Sequence, residues 1–83
     1  MKICYFAWMR EKMDMAEEEL TLPTTIKTVA DLMDFLKKRD EKGAHAFDDS
    51  SLLRVAVNQS FANFDHPLSD SDEVAFFPPV TGG

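Results

Sequence analysis

Residues 28–39 have the pattern of one amphipathic helix, and this helix limits the folds that the rest of the chain can adopt. Its apolar stripe, spaced at three and four residues, consists of Val29, Leu32, Met33 and Leu36. Thr28 with Asp31 three residues later predicts a capping box, and we expect Gly43 to end the helix in a left-handed conformation. One stripe covers one face of one small sheet, so the pattern predicts an α+β roll for this chain of 83 residues.

Strand patterns stand on both sides of this helix. Residues 2–8 carry apolar side chains on both alternating faces, which predicts a strand covered on both sides. Residues 10–19 have a helical spacing but run into strand-like alternation, so we expect a short helical turn and then a strand near residues 17–22, antiparallel to the first. Residues 52–57 and 73–77 are the remaining predicted strands.

The predicted order is therefore two strands, one helix and two strands. A helix that crosses a small mixed sheet is the β-grasp pattern, although periodicity alone leaves the topology open. We predict a β-grasp domain over residues 1–77, with one main helix packed on one face of the sheet, and an extended tail over residues 78–83. Cys4, inside the first strand, is expected to be a buried and inert thiol.

Charge and cysteine content exclude several classes of function. Fifteen Asp and Glu against nine Lys and Arg give a net charge of −6, which argues against nucleic acid and against anionic membranes as partners. The single cysteine cannot form an internal disulfide, so we expect a reducing, cytoplasmic setting. Cys4, His45 and His66 lack the spacing of a zinc site, and no apolar run approaches the about 20 residues that span a bilayer.

The tail has the most unusual sequence in the chain: Pro78, Pro79, Val80, Thr81, Gly82 and Gly83. The two prolines end strand pairing and favour an extended chain, and six extended residues reach about 20 Å. Glycine has no Cβ, so the last two residues can thread a narrow channel. A terminal carboxylate is a poor acyl donor, but an anhydride made from it is a good one. The plain alternative is a frayed terminus.

Three segments carry a resemblance to a known family: Val57-Asn58-Gln59, Asp65-His66-Pro67-Leu68 and residues 70–83. Together they resemble the small subunit of molybdopterin synthase, a family of ubiquitin-like sulfur carriers with the β-grasp fold. Phe6-Ala7 and Arg10-Glu11 resemble the first strand of that family and its exit, whereas the middle of the chain matches only in pattern. Ser71 stands where many members have glycine, which would strain the turn if a positive φ is needed there.

The resemblance implies a reaction cycle centred on Gly83. A ubiquitin-activating-like adenylyltransferase would consume ATP to adenylate this residue, and a sulfur donor protein would convert it to a thiocarboxylate. The tail would then enter the large subunit of molybdopterin synthase, where the sulfur is transferred to a cyclic pyranopterin phosphate. The resemblance also implies a heterotetramer with two copies of each subunit. This chain would bind no cofactor, and acid–base catalysis would come from the large subunit.

The aromatic residues are numerous for one small core, with seven Phe, one Trp and one Tyr. Alternation places Phe6 opposite Tyr5 and Phe77 opposite Phe76, so both sets cannot face the same helix. The resemblance assigns Phe6, Phe61 and Phe77 to the large-subunit interface, with Arg10 at its rim. The alternative is that these aromatics are ordinary core or scattered surface residues.

Other functions also fit such a tail. The chain could carry sulfur for thiamine synthesis or tRNA thiolation, could be a ubiquitin-like modifier that forms isopeptide bonds with lysine, or could be an interaction domain with an inert tail. The Pro-Pro-Val sequence and the length favour molybdopterin synthesis. Acidic runs near residues 14–19, 48–49 and 70–73 either steer basic partners or are solvated faces.

Overall fold

The computed structural model describes residues 1–79 as a five-stranded mixed sheet with helices on one face. The strands are β1 (Lys2–Tyr5), β2 (Glu17–Glu19), β3 (Arg54–Val57), β4 (Ser60–Ala62) and β5 (Glu73–Phe77). The helices are α1 (Trp8–Met13), α2 (Val29–Arg39) and α3 (Glu41–Ala46), with a 3-10 turn at Ser50–Leu52. The strand order is β2-β1-β5-β3-β4, in which β1 and β5 are parallel and the other pairs are antiparallel.

This topology is the β-grasp fold, and the predicted α+β roll is confirmed. The first and last strands lie side by side at the centre, and α2 crosses between the two halves of the sheet. Within residues 1–79, seventeen hydrophobic residues form one buried cluster between the sheet and the helices. Burial of this apolar surface is the main force that holds the two layers together.

The helix α2 begins where the sequence predicts. The amide of Asp31 donates to Oγ1 of Thr28 at 3.2 Å, and the amide of Thr28 donates to the Asp31 carboxylate at 3.1 Å, which completes the capping box. Val29 also donates its amide to the carbonyl of His66. The predicted apolar stripe is buried, and its four residues are Val29, Leu32, Met33 and Leu36.

The prediction for Gly43 is wrong. This glycine lies inside α3 and does not have a positive φ. The helix α2 ends because Asp40 is extended, and the Asp40 carboxylate then caps α3 by accepting from the Gly43 amide at 2.8 Å. A Cβ at residue 43 would lie 1.8 Å from the carbonyl oxygen of Leu36. Glycine is therefore needed here for close packing of α3 against α2.

The first strand is shorter than predicted and is covered on one side only. It ends at Tyr5, and α1 begins at Trp8, so the predicted strand over residues 2–8 is wrong at its end. Tyr5 is buried, whereas 51% of Phe6 is exposed, so coverage of both faces is also wrong. The predicted helical turn is confirmed as α1, and β2 pairs antiparallel with β1 but ends at Glu19 rather than near residue 22.

The C-terminal half contains one strand that the sequence analysis missed. The strand predicted over residues 52–57 begins at Arg54, because Leu52 belongs to the 3-10 turn. A hairpin through Asn58 and Gln59, both with positive φ, leads into β4. The predicted strand over residues 73–77 is confirmed as β5.

The loop before β5 is held by Asp72. Its carboxylate accepts from the amide of Ser69 at 2.8 Å and from the side-chain amide of Asn58 at 2.9 Å. Ser71 does not have a positive φ, so this turn does not require a glycine at residue 71. The helices of the described residues are all short. None of those within residues 1–79 is long and apolar enough to cross a membrane.

Candidate docking face and tail root

The outer face of the sheet, opposite the helices, carries the side chains that alternate with the core residues. Strand register aligns Phe61 with Ala56, Ala56 with Ala75, and Ala75 with Cys4 in one row across four strands. Small side chains occupy the centre of this row, and Phe61 stands at its end on β4. The row therefore forms a shallow apolar surface with a projecting aromatic ring at one edge.

Three phenylalanines, Phe6, Phe61 and Phe77, form what we call the aromatic patch. The ring centroids of Phe61 and Phe77 are 5.8 Å apart, with the ring planes inclined by 48°. Phe6 follows Tyr5, the register partner of Phe76, and its amide donates to the Phe76 carbonyl at 3.1 Å. Phe6 therefore leaves β1 level with Phe77. Phe61 is 84% exposed, so its apolar ring is left in water and does not contribute to the buried core.

The predicted division of the aromatic residues between two faces is confirmed. Tyr5 and Phe76 are buried, with ring centroids 6.3 Å apart, and Phe47 on the helical side packs edge-on against Phe76 at 5.0 Å. Phe77 alternates with Phe76 and lies on the other side of β5, and Phe6, which follows the end of β1, is exposed. Assignment of the patch to a partner interface stays a prediction.

A tight turn connects Phe6 to α1. The carbonyl of Phe6 accepts from the amide of Met9 at 3.1 Å, and Ala7 has φ 54 and ψ −133. These angles are those of the first central residue of a type II′ turn, where glycine is preferred. The turn ends β1 and directs the chain into α1.

Two arginines lie near this end of the sheet. Arg10 is exposed on α1, one turn of helix after Ala7, so it belongs to a different element from the aromatic patch. Arg54 is exposed and is the register partner of Phe77, which places it on the outer face. Arg54 is not among the site residues predicted from the sequence. Its alternation with Leu53 and Val55 was the signal that could have identified it.

The far end of the outer face carries opposite charges in contact. Lys2 Nζ lies 2.8 Å from the Glu17 carboxylate, and this hydrogen bond raises the pKa of Lys2. Cys4 is half-buried rather than fully buried, and burial, with the charge of Glu73 adding to it, raises the pKa of its thiol. A protonated thiol is a weak nucleophile, so the raised pKa makes Cys4 less reactive.

Carboxylates of the predicted acidic runs hold parts of the fold together. The Asp70 carboxylate accepts from the amide of Leu22 at 2.7 Å, which lowers the pKa of Asp70. Glu18 is bound by both guanidinium nitrogens of Arg39, at 2.7 and 3.0 Å, and also accepts from the Tyr5 hydroxyl at 2.7 Å. The hydrogen bond from Arg39 is the main cause of the lowered pKa of Glu18. Electrostatic steering by the acidic runs stays a prediction.

A groove runs along α2, not beside the aromatic patch. It has a volume of about 420 Å³, and Ile26 and Phe35 lie in its wall. An ion pair of 2.9 Å between Lys38 and Asp34 also lines it. The groove and the aromatic patch are therefore separate surfaces.

The tail begins at the end of β5, a central strand. Pro78 and Pro79 follow Phe77 without further strand pairing and are half-buried. The predicted tail residues Val80, Thr81, Gly82 and Gly83 lie outside the described residues. The division of the chain at residue 77 therefore stays a prediction.

A β-grasp domain whose last central strand leads into a Pro-Pro segment, beside exposed aromatic side chains, has the architecture of a ubiquitin-like protein. A family model described as the ThiS family matches residues 3–83. The sequence is 44% identical over 82 residues to the molybdopterin synthase sulfur carrier subunit of Escherichia coli K12, covering 99% of this chain and 98% of the relative. The chain belongs to the ThiS family.

Solved structures agree with this assignment. Molybdopterin converting factor subunit 1 from Pyrococcus furiosus is 36% identical with a TM-score of 0.75, and the match covers 95% of both chains. Small archaeal modifier protein 1 of Haloferax volcanii is 25% identical with a TM-score of 0.70 over 95% of both chains. A chain in a complex of subunits 1 and 2 of molybdopterin-converting factor from Helicobacter pylori, 20% identical, has a TM-score of 0.64 over 99% of this chain and 96% of that one and shares the fold.

Proposed function

We propose that this chain is the sulfur carrier subunit of a molybdopterin synthase and that Gly83 carries the sulfur. The observation that carries the proposal is the position of the aromatic patch, which lies where β5 ends and the tail begins. A partner that covers this patch would receive the tail directly, because six extended residues reach about 20 Å. The identity to the Escherichia coli sulfur carrier supports the same conclusion.

The chemistry begins at the carboxylate of Gly83. An adenylyltransferase related to ubiquitin-activating enzymes joins a carboxylate oxygen to the α-phosphorus of ATP, and pyrophosphate leaves. The acyl adenylate is a good acyl donor because AMP is a good leaving group. A sulfide-level sulfur supplied by a sulfur donor protein then attacks the acyl carbon and displaces AMP, which leaves a terminal thiocarboxylate. The carrier binds no cofactor in this scheme, and ATP is consumed by the activating partner.

Transfer of the sulfur takes place in the large subunit. Docking through Phe6, Phe61 and Phe77, with Arg10 at the rim, places the tail Pro78–Gly82 in the active site of that subunit. There the thiocarboxylate delivers sulfur to a cyclic pyranopterin phosphate, and water cleaves the bond between the sulfur and the acyl carbon, so that Gly83 returns to a carboxylate. The large subunit provides the acid–base groups. The active assembly in this proposal is a cytoplasmic heterotetramer with two copies of each subunit.

A mass measurement and a deletion test the proposal. After co-expression with the activating enzyme and sulfur donor, the intact mass of the chain should increase by the difference between one sulfur and one oxygen atom. Deletion of Gly83 should abolish sulfur transfer while the unfolding midpoint and binding to the large subunit are unchanged, since the buried cluster of the described residues ends at Phe76. An unchanged mass, or sulfur transfer by the deleted chain, would contradict the carrier function.

The similarity to a small archaeal modifier protein supports protein modification as a second candidate. Modification would join the tail to lysine side chains through an isopeptide bond rather than to sulfur. Lysine-linked adducts on other proteins, together with an unmodified mass of the free chain, would favour this candidate. Dithiolene formation from the thiocarboxylated chain and the large subunit alone would distinguish molybdopterin synthesis from thiamine synthesis or tRNA thiolation.

A further inference from the structure

Ala7 occupies a backbone conformation that suits glycine better than alanine. Its φ of 54 and ψ of −133 lie in the type II′ region, where the Cβ of an L-residue is crowded by the backbone. The turn is closed by the hydrogen bond from the Met9 amide to the Phe6 carbonyl. The turn between β1 and α1 therefore requires this conformation. The conformation costs more free energy with alanine at residue 7 than it would with glycine.

The methyl group of Ala7 does not offset this cost inside the domain. Ala7 is exposed and is not part of the buried cluster. Asn58, another residue with positive φ, gains from its side chain, which binds Asp72 and the amide of Glu73. Asn also tolerates positive φ better than alanine does.

We propose that Ala7 is a contact residue of the docking surface and that its methyl group is covered by the large subunit together with Phe6. This inference rests on the proposed function, because it extends the aromatic patch by one residue at the end of β1. Phe6 is half-exposed and immediately precedes Ala7, so a partner that buries the Phe6 ring also reaches this turn. A side chain that costs stability in the free domain then contributes to affinity in the complex.

The test is the substitution Ala7→Gly, measured in two ways on the full chain. The unfolding midpoint in urea should rise or stay the same, because glycine relieves the turn. The dissociation constant for the large subunit should increase about fourfold, the value of one buried methyl group. If Ala7 had a purely structural role, the substitution would change the affinity for the large subunit and the stability of the domain in the same direction. An unchanged dissociation constant or a lowered midpoint would overturn the inference.

The substitution Gln59→Gly is the matched control. Gln59 is also exposed with a positive φ of 69, but it lies in the hairpin between β3 and β4, at the other end of β3 from the tail root. Its replacement should raise the midpoint and leave the dissociation constant unchanged. If the unaltered chain does not bind the large subunit, the proposed function fails; if it binds and Ala7→Gly binds equally well, only this inference fails.

A chain with D-alanine at residue 7, made by chemical ligation, distinguishes the methyl contact from rigidity of the turn. A D-residue adopts the type II′ angles without strain and keeps the turn rigid, but its methyl group points to the other side of the backbone. The inference predicts an affinity as low as that of Ala7→Gly. Recovery of the original affinity would overturn it, because rigidity alone would then explain the loss.

Discussion

The two faces of the sheet are made by alternate residues of the same strands, yet they have different physical roles. The inner face, with Ile3, Val74 and Phe76, is buried under the helices and supplies the stability of the domain. The outer face has small residues at its centre and exposed phenylalanines at the tail root. The side chains that stabilise the domain and those of the proposed docking face therefore alternate along the same strands, so we expect that each set can be changed without the other.

Phe76→Ala is the strongest test of this separation. The Phe76 ring is fully buried and contacts Tyr5 and Phe47, so its removal leaves a cavity in the core. We expect a loss of about 3–5 kcal/mol in unfolding free energy, measured by urea denaturation. Phe77→Ala, one residue further along the strand, is the control and should cost much less. Equal losses would show that the two faces are not independent.

Gly43→Ala tests the helical layer above the inner face. The new Cβ would collide with the carbonyl oxygen of Leu36, so α3 must move away from α2. We expect a destabilisation of about 1–3 kcal/mol, the usual cost of overpacking. The neighbouring substitution Ala44→Gly, in the same helix, controls for helix propensity. A neutral Gly43→Ala variant would show that the helices are not in the close contact described.

Phe77→Ser tests the outer face. The variant should remain folded, with its unfolding free energy lowered by less than about 1 kcal/mol, because the ring is only partly covered. Its affinity for the large subunit should fall about tenfold or more, as for an aromatic residue at the centre of an interface. Titration calorimetry measures the affinity. An unchanged affinity in the folded variant would remove Phe77 from the docking surface.

The Arg39–Glu18 pair predicts a smaller, pH-dependent effect confined to the fold. Arg39 lowers the pKa of Glu18 in the folded chain below its unfolded value of about 4.3, so the pair stabilises the domain above that pH. The stabilisation is lost as the pH falls through the lowered pKa. The unfolding free energy of the unaltered chain should therefore fall between neutral and acidic pH. In Arg39→Gln this fall should be smaller, by less than about 1 kcal/mol, because water reaches the pair. An unchanged pH dependence would show that Arg39 does not control Glu18.

Affinity for the large subunit provides the control for that pH experiment. Glu18 and Arg39 join β2 to the end of α2, away from the aromatic patch. Arg39→Gln should therefore bind the large subunit as the unaltered chain does at neutral pH. A loss of affinity would indicate that the pair also supports the docking face.

One error in predicting the fold concerns the role of Gly43. The sequence pattern predicts a left-handed helix end at Gly43, since glycine is usual at that position. In the structure, positive φ angles within residues 1–79 occur at Ala7, Asp14, Asn58 and Gln59, whereas Gly43 is used for close packing. Local propensity could not show this, because the position of Leu36 relative to α3 depends on how two helices pack.

The sequence by itself determined the helix α2, its capping box, the strand β5 and the alternation that separates Phe76 from Phe77, because these depend on local spacing and on a period of two. The tertiary structure alone decided that β1 stops at Tyr5, that β4 exists, and that Phe61 reaches Phe77 across the intervening strand β3. Contacts between residues distant in sequence depend on strand register, and register is set by the packing of the whole sheet rather than by any single segment.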